Sequence, residues 1–340
     1  MLTVRRKAFI AHGEKKMSER TYFGENDFYD SMRNIALPVI QSNLKEGDLT
    51  GEGNINLHYY ELLHPKERAA VVIFHGFCEF FGKYHELAYY LFREGCSIFF
   101  LEQRGHGHSD RECENCCKVH VRDFMEYVRD QKTFVDQVVK KEMHSDRLLL
   151  FAHSMGGLVG GLYLEQYPED FERAILSSPM LEINYGGIPK AAAVFMGILA
   201  RIRRKTKEYA PGGHDFTPEA DFEHSSQLSP ARYQYMFDQR LKNTCDQTSS
   251  ATYGWAIASM KGVKVFHKNA DKIRVPVLIL QAGKDTMVDI SGQDRFQKEN
   301  PQVRIERFPN AKHEIFNSTT EDRGRFYDLL LDCYFPSNRL

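Results

Sequence analysis

Residues Leu148 to Gly161 read LLLFAHSMGGLVGG. An apolar run ends at Ala152, a single serine follows His153, and four glycines crowd the next seven positions. A short continuous apolar run suits a strand buried on both faces of a parallel sheet. With the strand ending at Ala152 and a helix beginning near Met155, Ser154 occupies a tight turn, its hydroxyl raised above the sheet edge. Gly156 and Gly160, and likewise Gly157 and Gly161, stand four apart, which leaves a helix face bare enough to lie close against the sheet. Each glycine costs a helix interior about 1 kcal/mol relative to alanine, so four in one helix require a packing reason. The serine also gains a helix N-terminus, whose free N–H groups favour a developing oxyanion.

Further strand-like runs recur on either side. AAVVIF (Ala69 to Phe74), CSIFFLE (Cys96 to Glu102) and RLLLFA (Arg147 to Ala152) are followed by RAILSSP (Arg173 to Pro179), VPVLILQAG (Val275 to Gly283) and VRIERFP (Val303 to Pro309). Between the first two, Tyr84, Leu87, Ala88, Leu91 and Phe92 recur at helical spacing, with Gly95 as the stop. Between the second and third, Phe124, Val128, Val135, Val138 and Val139 mark a less regular helix. This alternation predicts an α/β protein with a mostly parallel sheet flanked by helices. TGEGN (Thr50 to Asn54) predicts a hairpin ahead of it, and a Thr or Ser cap predicts a last helix from about Thr320 to Tyr334. From about Leu181 to Asp271 helical segments continue without strands. The expected organisation is a core in two parts, 1–181 and 272–340, with 182–271 inserted as a helical cap.

Composition narrows the function classes. The 340 residues are 42% hydrophobic and 27% charged, the balance of a globular protein. Against 46 Asp and Glu there are 45 Lys and Arg, so no excess of positive charge suggests a nucleic-acid partner. The first residues are basic, but AFIA is too short for a signal-peptide core and no later run approaches a membrane span. Seven cysteines, an odd number and mostly scattered, speak against a secreted disulfide framework. A cytoplasmic protein is expected, with Met17 as an alternative start to Met1. Oligomeric state is not legible.

A serine nucleophile needs a base and an orienting acid, which in this topology follow in the order Ser, Asp or Glu, His. QAGKDTMVD puts Asp285 directly after one strand, and FPNAKHEIF puts His313 directly after the next. Strand C-terminal edges are where open α/β sheets bind ligands. Asp285 or the nearby Asp289 also suits a helix cap, and His313 an ordinary loop; three such residues at strand ends in the right order favour the catalytic reading. FHGFCE (Phe74 to Glu79) offers a turn that can present the Phe77 N–H beside that of Met155 as an oxyanion hole, with His75 as support for the loop.

At these residues the sequence resembles the α/β-hydrolase superfamily, and within it bacterial lysophospholipases and monoacylglycerol lipases. HGFCEFFGKYHELAYYLFREG is similar to the oxyanion loop and first helix of that group, EQRGHGHSD to its glycine turn, and AHSMGG to its nucleophile elbow. SSQLSPARYQYM and SATYGW are closer to the lysophospholipase branch. The resemblance, from about Tyr60 to Phe335, implies an α/β-hydrolase fold with an inserted lid. It implies Ser154 as nucleophile, His313 as base, Asp285 as acid, Phe77 and Met155 as oxyanion donors, and no cofactor. Three positions depart from the family pattern: Ala152 for the first glycine of G-x-S-x-G, Cys78 for the second glycine of H-G-x-G-E, and Glu102 for an aspartate. The expected substrate is a single-chain lipid ester, with monoacylglycerol lipase or broad carboxylesterase activity as alternatives, and a catalytically silent binding protein as the rival of a different class.

IPKAAAVFMGILARIRRKTK (Ile188 to Lys207) begins apolar and ends basic. It suits either a cap helix that closes over an acyl chain and meets anionic headgroups at the inner membrane face, or a helix packed on the core with a solvated end. HGHSDRECENCCKVH gathers His106, His108, Cys113, Cys116, Cys117 and His120. With one C-x-x-C and no second, the expectation is no metal.

Overall fold

The computed structural model describes residues 20–336, so Met17 and the basic stretch before it lie outside the described residues. Eight strands form the main sheet: β1 Leu44–Thr50, β2 Asn56–Leu62, β3 Ala69–Phe74, β4 Cys96–Leu101, β5 Leu148–His153, β6 Arg173–Ser177, β7 Val277–Ala282 and β8 Val303–Phe308. Their spatial order is β1-β2-β4-β3-β5-β6-β7-β8. β2 runs antiparallel to both β1 and β4, with TGEGN at the β1–β2 turn, and every other pairing is parallel.

Alternation along β3 shows why its run is apolar throughout. Ala70, Val72 and Phe74 enter one core, while Ala69, Val71 and Ile73 enter the other. Helices cover both faces, as a buried parallel sheet requires. α1 (His85–Arg93), which ends at Gly95 with φ +90°, packs on the second face together with the C-terminal helix. α2 (Phe124–Phe134) and α3 (Met155–Gln166) lie on the first. The irregular valines beyond α2 form a π-helical turn, Val135–Val139, whose wider winding keeps Val135, Val138 and Val139 buried.

Between β6 and β7 the chain supplies α4 (Lys190–Ile202), α5 (Pro230–Lys242) and α6 (Tyr253–Asn269). α6 continues the helical layer of the core: Phe266 lies where a side chain at Gly161 would point, and Phe124 and Leu158 lie against Gly262. α4 rests on α6, with Gly197 against Ile257. After β7 come α7 (Ser291–Glu299) and, beyond β8, α8 (Thr320–Tyr334), capped by the Thr319 side chain on the Asp322 N–H. Among the described residues no helix is long and apolar enough to cross a membrane.

Candidate active site

Ser154 joins β5 to α3 with φ +53° and ψ −119°, a conformation that costs a non-glycine residue on the order of 1–3 kcal/mol. Main-chain bonds hold it there: its N–H donates to Ser177 O at 3.0 Å, and its carbonyl accepts from Gly157 and Met180, each at 2.9 Å. The glycines divide their work. A Cβ on Gly156 would sit 2.1 Å from Phe74 O and Gly160 faces Leu150 and Ala152, so that pair lets α3 lie on the sheet. Gly157 and Gly161 instead face Pro179 and Phe266, so only one of the two pairs turns to the sheet. The Ala152 methyl fits beside Gly160, which explains why the first glycine of the motif is dispensable here.

The three expected side chains meet. His313 Nε2 lies 2.8 Å from Ser154 Oγ, and His313 Nδ1 lies 2.7 Å from Asp285 Oδ2. A carboxylate only accepts, so Nδ1 carries the proton and Nε2 is left to accept from the serine hydroxyl. Asp285 follows β7 and His313 follows β8, while β6 stands between β7 and the serine's strand. The second oxygen of Asp285, Oδ1, accepts from the N–H groups of Met287 (2.8 Å) and Val288 (3.1 Å), which fixes the carboxylate. Asp289 does not reach the histidine; its Oδ1 caps α7 through the Ser291 N–H at 2.9 Å.

The loop after β3 closes over the serine. Gly76 is so near that a Cβ there would be 3.1 Å from the Ser154 Cβ. Among the described residues neither the Phe77 nor the Met155 main-chain N–H has a protein acceptor. His75 is fully buried, with Nδ1 2.7 Å from Gly76 O and Nε2 accepting from the Gln103 N–H at 2.8 Å. Burial lowers its pKa to about 4, so it serves the loop as a neutral brace. Cys78 adopts φ +58°, a left-handed conformation that glycine takes up without a steric penalty. Glu102 lies beneath the glycine turn and accepts from the His108 N–H at 2.5 Å; burial raises its carboxyl to about 8.

Sequence reasoning missed a buried ionic cluster below these loops. Lys83 Nζ lies 2.6 Å from Glu79 Oε1 and 2.8 Å from Glu314 Oε1, with all three side chains enclosed. Glu79 also accepts from the Gly76 N–H and the Tyr84 hydroxyl, and Glu314 from Ser226 Oγ and Asn317 Nδ2. Desolvation opposes both carboxylates, but the Lys83 charge together with the hydrogen bonds they accept outweighs it and holds them below the usual carboxylate range. One cation thus joins the loop over Ser154 to the residue after His313. The only signal in sequence was a Glu and a Lys four apart in CEFFGKYH. His153, packed 4.9 Å from the His313 ring, is kept neutral by burial, its pKa lowered to about 4.

The Cys and His residues of the 106–120 segment face different neighbours. His106 lies against the His75 ring, His120 reaches Thr252 Oγ1 at 2.9 Å, and Cys117 Sγ accepts from the Phe216 N–H. Among the described residues no three His, Cys, Asp or Glu side chains are grouped as metal ligands. A cavity of about 370 Å³ opens between α4 and α6, lined by Met196, Ile257, Met260 and Trp255. The Trp255 ring lies 4.5 Å from that of Phe77, so the cavity adjoins the loop over the serine.

A family model described as serine aminopeptidase, S33 (Hydrolase_4), matches residues 65–320. The chain belongs to that family. It is 30% identical over 272 residues to a protein named probable lysophospholipase L2 from Haemophilus influenzae, covering 78% of this chain and 84% of the relative. It is 26% identical to a monoacylglycerol lipase of Mycolicibacterium smegmatis, covering 82% and 93%. The crystal structure of a monoacylglycerol lipase from Paleococcus ferrophilus superposes with a TM-score of 0.63 at 22% identity, over 82% of this chain and 99% of that one, which shows the α/β-hydrolase fold. Family and relatives together are those of a carboxylic-ester hydrolase.

Proposed function

We propose that the protein is a serine esterase acting on single-chain lipids, a lysophospholipase. The observation that carries this reading is the unbroken run of short contacts from Asp285 through His313 to Ser154, beside two unengaged main-chain N–H groups. His313 takes the Ser154 proton as Oγ attacks the acyl carbonyl. The N–H groups of Phe77 and Met155 receive the oxyanion, and Asp285 stabilises the imidazolium. His313 then protonates the departing glycerol oxygen, and water activated by the same histidine releases the fatty acid from the acyl-enzyme.

The insertion 182–271, between core parts 1–181 and 272–340, is assigned as the cap, with α6 as the base it shares with the core, and the cavity between α4 and α6 takes the acyl chain. α4 turns Phe195, Ile198 and Ile202 outward at 65%, 53% and 73% exposure, with Arg201, Arg203, Arg204 and Lys205 exposed beside them. An apolar stripe edged by cations suits peripheral contact with an anionic lipid surface. A second reading, monoacylglycerol lipase, is favoured by the coverage of the Mycolicibacterium relative.

Labelling by a fluorophosphonate probe tests the nucleophile, with Ser154→Ala as control. Loss of labelling and of ester hydrolysis by several orders of magnitude in a folded variant is expected. A wild-type protein that neither labels nor hydrolyses any ester would be a silent binding protein. A panel of lysophospholipid, monoacylglycerol and nitrophenyl esters separates the two lipid readings.

A further inference from the structure

A second cavity, of about 300 Å³, adjoins the same loop and differs in chemistry from the apolar one. Cys78, Phe216, Tyr233 and Arg240 contribute to its wall. Cys78 directly follows Phe77, so the loop over Ser154 forms part of this cavity. Arg240, near the end of α5, is its guanidinium. Nε donates to the Asp246 carbonyl at 3.0 Å and Nη2 to the Thr248 carbonyl at 2.6 Å, while the Phe216 ring lies 4.5 Å from Cζ.

What Arg240 lacks is an anion. Among the described residues no carboxylate lies within 4.0 Å of its guanidinium, and Nη1 has no protein acceptor. The carboxylate of Asp246 is engaged by Asn243 Nδ2 at 3.1 Å. On the cavity rim Asp221 is exposed and pairs with His224 at 3.0 Å, and Glu219 is exposed. Burial disfavours the Arg240 charge, which, unlike Arg104 with Asp130 and Arg232 with Glu86, has no carboxylate beside it; Arg111 is likewise held by carbonyls alone, but it does not line this cavity. A partly buried guanidinium with a spare N–H, held in place by two carbonyls and facing a cavity, is suited to a phosphate.

We propose that this cavity is a headgroup site in which Arg240 binds the phosphodiester of a single-chain phospholipid whose ester lies at Ser154. The proposal rests on the lipid-ester reading above and deepens it. Both cavities meet one loop, the apolar one through Trp255 on Phe77 and the polar one at Cys78. An amphiphile with its ester at that loop has an apolar place for its chain and a cationic place for its phosphate, with glycerol as the spacer. Beyond the phosphate, the rings of Phe216 and Tyr233 and the acids Glu219 and Asp221 offer the surroundings that an ammonium headgroup prefers.

Arg240→Met and Arg240→Lys are compared with wild type on lysophosphatidylcholine, the monoacylglycerol of the same chain, and a water-soluble nitrophenyl ester. The ratio of kcat/KM for lysophospholipid over monoacylglycerol should fall about ten- to a hundredfold in Arg240→Met, mainly through KM, and recover in part in Arg240→Lys. An unchanged ratio overturns the proposal. Because Arg240 also ties two carbonyls, a second measurement covers a variant that does not fold: titration of the full Ser154→Ala chain with glycerophosphocholine and with glycerol. Saturable binding of the first alone, weakened by Arg240→Lys, supports the site; no saturable binding overturns it. Failure of wild type on all three esters would sink the esterase reading, while the titration still decides the headgroup site.

Discussion

Replacing Lys83 by methionine keeps most of the side-chain volume and removes one buried charge. The two carboxylates it joins, at 2.6 and 2.8 Å, would then face each other without a lysine cation, and their remaining neighbours are a main-chain N–H, two hydroxyls, an amide and the His153 ring, whose Nε2 lies 3.5 Å from Glu79. Breaking a buried ion pair on one side costs about 3–5 kcal/mol. With an unfolding entropy of roughly 2.1 cal/mol/K per residue, a chain of 340 residues loses about 4–7 °C in Tm. The pH dependence gives the sharper test. In the wild type, Glu79 and Glu314 have lowered pKa values and Lys83 a raised one. The carboxylates' contribution is therefore present above the ordinary carboxylate range and is lost as pH falls through their folded values; that of Lys83 is lost only as pH rises above its own. In Lys83→Met the orphaned carboxylates take up protons at higher pH, so the gap in Tm to wild type should narrow from pH 8 to pH 5. Because Glu79 braces Gly76 and Glu314 follows His313, kcat should fall as well, and Lys83→Met combined with Glu314→Gln should regain part of the lost stability. Calorimetric melts across that pH range are the assay. A variant melting within about 1 °C of wild type, with a gap indifferent to pH, would refute the reasoning.

Asp285→Asn should lower kcat by about 10⁴-fold, whereas Asp289→Asn should cost only a helix cap; equal losses would remove the distinction drawn from their contacts. Glu102, raised to about 8 by burial, holds its proton when folded and loses it when unfolded, so its contribution is present below the ordinary carboxylate range and is lost as pH rises toward 8. Glu102→Gln should flatten the fall in Tm over that window, and an unaltered slope would show the group is ionised in the fold. Neutralising Arg203, Arg204 and Lys205 should weaken binding to anionic vesicles by about 1 kcal/mol per charge with hydrolysis of a soluble ester preserved; a sedimentation assay showing equal binding would return this face of α4 to plain solvent.

The strands β3 to β7 were legible because each is buried on both faces, which forces a near-continuous apolar run, whereas the edge strand β8 showed itself by alternation, with Val303, Ile305 and Phe308 buried and Arg304 and Arg307 exposed. The serine was legible because close packing of α3 on the sheet needs glycines at fixed positions beside it. Asp285 and His313 followed from where strands end. The Glu79–Lys83–Glu314 cluster was not, since its members lie far apart in the chain and look like ordinary surface charges until the fold buries them. The helical stretch from Phe28 to Asn43 also went unread, its period being interrupted by the π-helical turn Met32–Ala36. The two-residue pairing of Lys118–Val119 with Ser250–Ala251 is too short to carry any period.

The inserted segment is built of mechanically unequal parts. α5 is bolted to the core: the Arg232 fork grips Glu86 of α1 through two contacts of 2.7 Å. α4 has no such bolt among the described residues and rests on α6 through small side chains and apolar contact. It is bracketed by Gly186 and Gly187 on one side and Gly212 on the other, all with positive φ and with open space where a side chain would stand. Between α4 and Gly212 the chain is pinned, since Thr206 O and Glu208 O accept from the Gly254 and Tyr253 N–H groups and the Ala210 N–H donates to Ala251 O, so the free hinge is at Gly186 and Gly187. On the proposed lipid-ester reading a longer acyl chain would gain room by swinging α4 about its pinned C-terminal end, while the wall carrying Arg240 stays put. On that reading, room for the chain and recognition of the headgroup lie in separate pieces of the fold, and each could change in evolution without disturbing the other.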